Sequence, residues 1–262
     1  MVDNNRIDSK IKPAKVPVAF CEPWFNGKSA FLMLSYDEKL SSAFTLAHEL
    51  GHGIHAYHSS NSQNFITEAP PPVIAEIASE IGRMLFVDKF TSQTKDNELI
   101  KYSLFQATEK VMNLVFEVSS RVKFEEDLYS AINQGEYLSA EKVNEIFWNA
   151  RKTYFGDVVE WYPEQVYQWV WKPHYYIPEM GMRLYNFSYV FAEMIVLVLY
   201  NQYKKEGRSF VPKYKELLRA GGSKFPAEMF NEIGFDLYNY KFWEAGIDEL
   251  RNIFSKLKKT FT

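Results

Sequence analysis

The chain has a single cysteine, Cys21, in 262 residues. No intramolecular disulfide can form and no cysteine-built zinc site is possible, a composition that suits a reducing compartment such as the cytoplasm. A basic excess is also lacking. Thirty Lys and Arg face 33 Asp and Glu, for a net charge of −3, which leaves no basic surface for nucleic acid and no polybasic membrane anchor. The most apolar stretch, 187–200, is shorter than the roughly 18 to 20 residues of a membrane span and carries Glu193, so it is expected to be a buried helix. The first eight residues are too polar for a signal peptide. There is no internal repeat and no low-complexity segment.

Aromatic residues, by contrast, are abundant: 21 Phe, 17 Tyr and 6 Trp. They imply an extensive helix-packed core or a wide aromatic cleft in a single domain spanning 1–262. The segment that organises the chain is 45–55, Thr45-Leu-Ala-His-Glu-Leu-Gly-His-Gly-Ile-His55. On a helix, residues four apart lie one above the other, so His48 and His52 can offer their imidazoles to one metal ion. Glu49 is rotated roughly 100° from His48, beside the ion, where a carboxylate could take a proton from water. The alternative is two surface histidines one turn apart. Gly51 and Gly53 suggest a closely packed helix face, and Ser41 or Ser42 is expected to cap the helix start.

Residues 1–28 contain Pro13, Pro17, Pro23 and Gly27 without a clear period and are expected to be irregular. The apolar run 29–36 predicts a short strand, either an edge that pairs with an extended peptide or an ordinary core strand. A polar loop is expected at 59–64. After the prolines at 70–72, residues 73–90 predict a helix with Ile74, Ile77, Ile81 and Leu85 on one face. Glu76, Glu80 and Arg83 lie near one another on another face. Two histidines need a third protein ligand to leave one open position, and Glu76 is the choice, with Glu80 its competitor. Either glutamate could instead pair with Arg83. Further helices are expected at 97–134, from a Ser139 cap to about 155, at 185–206, and in short pieces over 211–259 broken at Gly221, Gly222 and Pro226. The whole reads as α-rich.

The 45–55 segment, Ala75-Glu-Ile-Ala-Ser79, Pro173-His-Tyr-Tyr176, Asn186-Phe-Ser-Tyr-Val-Phe191 and Leu217-Leu-Arg-Ala-Gly-Gly-Ser223 together resemble the thimet oligopeptidase and oligoendopeptidase F family of zinc peptidases, most closely the oligoendopeptidase F branch. The likeness runs from about residue 17 to the C-terminus. It implies a mainly α, zincin-like catalytic domain of the neurolysin or oligoendopeptidase type, with a short edge strand beside the zinc helix. It also implies one zinc ion held by His48, His52 and Glu76, with Glu49 as general base. His174 would match a histidine that contacts substrate, and Tyr189 or Tyr185 the tyrosine that hydrogen-bonds the oxyanion. His55 would support the site; His58 has no implied role. Short peptides are the implied substrates.

Three departures stand out. The chain resembles the catalytic half of longer relatives, whose N-terminal part forms the other wall of a channel, so a partner segment or a homo-oligomer is expected to matter. Residues 177–184 read as an insertion. Arg83 stands where the family often has an acid. Two other functions fit the same motif: a zinc carboxypeptidase, and a non-catalytic zinc-stabilised binding module. Another divalent metal suits the same ligands.

Overall fold

In the computed structural model, which describes residues 1, 4–16, 18–176 and 184–261, three short strands precede a series of helices. The strands β1 (Ile7–Asp8), β2 (Phe20–Trp24) and β3 (Ser29–Met33) form one sheet in the order β1-β3-β2. β3 pairs in parallel with β1 and antiparallel with β2, whose Cys21 lies opposite Leu32. The strand expected at 29–36 is therefore the central one. The edges are β1 and β2, both in the region expected to be irregular; Pro23 of β2 has no N–H to give to a ladder, which suits an edge position. Ala30 and Leu32 are buried against Ala56, Leu46 and Leu50 of the following helix.

That helix, α1 (Leu40–Ser62), packs on α2 (Pro72–Gln93). The contact is close because Gly51 has no side chain: a Cβ there would sit 2.3 Å from the Ala78 carbonyl oxygen and 2.5 Å from Ser79 Cα. Gly82 repeats the device from the other side, where a Cβ would lie 2.7 Å from the Ala47 carbonyl oxygen. Neither Ser41 nor Ser42 caps α1. Lys39 holds that position without a side-chain bond, and the Ser42 hydroxyl donates to Asp37. α1 also runs through most of the predicted 59–64 loop. On α2, Ile74, Ile77 and Ile81 are buried, whereas Leu85, on the same face further along the helix, is exposed.

Further on come α3 (Asn97–Met112), a π-helical segment (Asn113–Val118), α4 (Ser119–Asn133) and α5 (Ala140–Phe155). The Ser139 hydroxyl accepts from Lys142 N–H at 3.3 Å, the cap expected there. Two 3₁₀ turns, Pro163–Trp171 and Pro173–Tyr175, lead toward α6 (Asn186–Glu206). Residues 177–183 of the predicted insertion lie outside the described residues. From Ile195 to Tyr200 every residue of α6 is buried, as its apolar run implies. The chain ends in α7 (Val211–Arg219), α8 (Pro226–Glu232) and α9 (Tyr240–Lys258). No helix among the described residues is long and apolar enough to cross a membrane.

The chain divides into two compact units, one formed by Met1–Thr108 with Ala192–Thr262, the other by Glu109–Phe191. The first holds the sheet and the α1–α2 pair. The second has its own core of Phe124, Val143, Ile146 and Phe147, with the Phe124 and Phe147 rings edge to face at 5.2 Å.

Candidate metal centre

The α1–α2 contact in the first unit sets the site. His48 and His52, one turn apart on α1, have ring centroids 4.8 Å apart. Nε2 of each lies 3.5 Å from Oε2 of Glu76 on α2. One ligand atom from each of these three residues falls within 4.8 Å of the others. Two imidazole nitrogens and a carboxylate oxygen are a zinc donor set that leaves a fourth position open. The Ser79 hydroxyl, 3.0 Å from Glu76 Oε2, steadies the carboxylate.

Glu80, the competing ligand, is engaged elsewhere. Its Oε1 lies 3.0 Å from Nδ1 of His48, and its Oε2 accepts from Arg83 Nε at 2.8 Å. The predicted pairing of Arg83 with a neighbouring glutamate is thus made by Glu80, and this pair buttresses a histidine rather than decorating the surface. That role needs two helices to cross at a given angle, so no local spacing signals it.

Glu49 is buried, and that burial pushes its carboxyl above the usual range. Burial also lowers the His52 imidazole, and it takes His55 down to about 4, which keeps His55 in the neutral form near neutral pH. Glu49, His48, His52 and Glu76 line a cavity of about 670 Å³. Its opposite wall includes Phe20, Cys21 and Glu22 of β2, a contribution hidden in the proline-rich start of the chain.

His174, Tyr185 and Tyr189 belong to the second unit, where they form one cluster. The His174 ring centroid is 6.4 Å from that of Tyr185 and 6.1 Å from that of Tyr189, and the two tyrosine rings are 5.1 Å apart. Both tyrosines therefore neighbour the histidine. Partial burial lowers the His174 imidazole.

Oligoendopeptidase F (plasmid) of Lactococcus lactis subsp. cremoris is 27% identical over 231 residues, covering 88% of this chain and 38% of the relative. Oligopeptidase PepF of Bacillus subtilis is 25% identical over 241 residues, covering 89% of this chain and 35% of the relative. The chain thus spans well under half the length of these curated relatives. Among solved structures, oligoendopeptidase-F from Enterococcus faecium superposes with a TM-score of 0.69 at 23% identity, over 85% of this chain and 39% of that one. The family model for peptidase family M3 matches residues 1–249. The chain belongs to peptidase family M3.

Proposed function

We propose that this chain is a zinc-dependent oligoendopeptidase that hydrolyses internal bonds of short peptides at the α1–α2 site. The observation that carries the proposal is the convergence of His48, His52 and Glu76 within 4.8 Å beside the buried Glu49. His48, His52 and Glu76 would hold the zinc. The chemistry such an ion supplies is Lewis acidity and a water made nucleophilic near neutral pH.

The chain's own groups do the remainder. Glu49, beside the ligands and facing the cavity, would accept the proton of the attacking water and deliver it to the leaving amine. The β2 edge on the cavity wall offers backbone groups to an extended peptide, the docking mode expected of the preceding-strand region but transferred here to residues 20–24. By family resemblance, His174 would contact substrate and Tyr189 or Tyr185 would donate its hydroxyl to the oxyanion, a bond worth roughly 3 kcal/mol in the transition state.

The test is mass spectrometry of peptides of graded length incubated with the zinc-loaded chain and with its Glu49→Gln variant. Internal cuts that disappear in the variant support the proposal. Release of single C-terminal residues alone would replace it with the carboxypeptidase reading. No hydrolysis with metal bound would replace it with a zinc-stabilised binding module.

A further inference from the structure

The second unit carries an open cavity of about 720 Å³ lined by its own residues, none of which belongs to the candidate metal centre. One side is aromatic, with Phe116, Phe155 and Trp161, and Trp171 stands exposed at the rim. The other side is charged, and its charges do not cancel. Glu117 serves two guanidinium groups at once: its Oε1 accepts from Arg121 Nε at 3.2 Å and Nη2 at 3.0 Å, and its Oε2 lies 2.5 Å from Arg151 Nη1. Lys172 also lines the cavity and makes no ion pair among the described residues. Counting Glu109, three cations meet two carboxylates, a formal excess of one positive charge in a chain whose net charge is −3.

Two buried donors in the same wall lack acceptors. Arg151 is only 6% exposed and its guanidinium lies 5.0 Å from the Trp161 ring centre and 5.2 Å from that of Phe155. Its Nε, like the indole N–H of Trp161, has no hydrogen-bond partner among the described residues. A buried donor left unmatched costs about 1–3 kcal/mol, and more when charged, so each calls for an acceptor. Lys172 reports the same imbalance: burial lowers its ammonium and the Arg121 and Arg151 charges lower it further, against the opposing pull of Glu117. The segment Asn113–Val118, which supplies Phe116 and Glu117, is π-helical, a conformation that recurs at functional sites.

We propose that this cavity binds a monocarboxylate carried on an apolar, preferably aromatic, body. The carboxylate would pair with Lys172 and, after a small shift of the wall side chains that uncovers them, accept from Arg151 Nε and the Trp161 indole, and the body would lie against the Phe116 and Phe155 rings. The volume lies within the range of ordinary small-molecule sites. It admits either a free aromatic acid or the C-terminal residues of a peptide, which present the same chemistry. The inference is independent of the peptidase reading.

The experiment is isothermal titration of the full chain with 3-phenylpropionate and with the neutral 3-phenylpropan-1-ol, repeated on Lys172→Gln and Trp161→Phe, with circular dichroism to confirm the fold. A short peptide ending in Phe, as free acid and as C-terminal amide, is titrated on the Glu49→Gln chain so that it is not turned over. Expected are saturable binding of the acid, at least about tenfold weaker binding of the alcohol, and a loss of about tenfold in each variant. Binding of the peptide acid that is tighter than that of phenylpropionate and is lost when Lys172→Gln is added to the Glu49→Gln chain identifies a peptide C-terminus as the ligand; weaker peptide binding, or peptide binding that Lys172→Gln leaves unchanged, identifies a free acid. Equal affinity for acid and alcohol, indifference to both substitutions, or no saturable binding of either acid would overturn the proposal.

Discussion

Oε1 of Glu80 lies 3.0 Å from Nδ1 of His48 while its Oε2 is held by Arg83. An ionised carboxylate can only accept, so Nδ1 carries the imidazole proton and Nε2 is left with its lone pair, on the side that faces Glu76. The pair thus fixes both the tautomer and the ring orientation that a metal ligand needs. Replacing Glu80 by Gln is expected to lower zinc affinity by about tenfold to a hundredfold, measured by competition with a chromophoric chelator. Glu76→Ala should cost more, because it removes a donor atom. Unchanged affinity in Glu80→Gln would remove the buttressing role.

Glu49→Gln preserves shape but cannot accept a proton. Zinc content should stay at one ion per chain while turnover falls by about a hundredfold to ten-thousandfold. The readouts are metal analysis and the rate of cleavage of a quenched fluorescent peptide. Near-normal turnover would move the general base elsewhere.

Much of this centre is legible along the chain, and the reason is geometric. His48, Glu49 and His52 lie on one helix, so a spacing of four states their adjacency directly. Glu76 comes from a second helix, where spacing leaves Glu80, one turn further on, as a competitor, and the family resemblance supports Glu76. What cannot be read locally depends on pairing between distant segments. β3 is central because β1 and β2 both pair with it, and nothing within 29–36 records that. β2 is obscured by prolines that break any alternation. The contact of Glu80 with His48 depends on how α1 and α2 cross, which Gly51 and Gly82 set through backbone proximity rather than through a pattern.

Gly51 gives that crossing a sharp test. A methyl group there would meet backbone atoms of Ala78 and Ser79 at 2.3 to 2.5 Å, and backbone cannot rotate away as a side chain can. Gly51→Ala should destabilise the chain by roughly 3 kcal/mol or more and weaken zinc binding, because the helices must separate. Chemical denaturation together with a zinc titration would check both.

Stability should also depend on pH through Glu125. This residue is 3% exposed and accepts from Asn186 Nδ2 at 3.0 Å, and burial pushes its carboxyl up to about 7. Between the ordinary carboxyl range and that value the folded chain holds a proton that the unfolded chain has lost. The contribution of Glu125 is therefore fully present at low pH and falls as pH rises toward 7, by roughly 3 kcal/mol in all. Glu125→Gln, which retains an acceptor for Asn186, should flatten this component. Denaturation midpoints at pH 5 and pH 8 for both proteins would show it; parallel midpoints would place the proton elsewhere.

Cys21 lies on the wall of the metal-site cavity, and burial raises its thiol to about 12. At neutral pH almost none of it is thiolate, the form that alkylating and disulfide-forming reagents attack. The native chain should therefore be nearly silent to maleimide chemistry. A cysteine introduced at an exposed position, such as Tyr137→Cys on the loop after α4, could then carry a single fluorophore or spin label without removing Cys21.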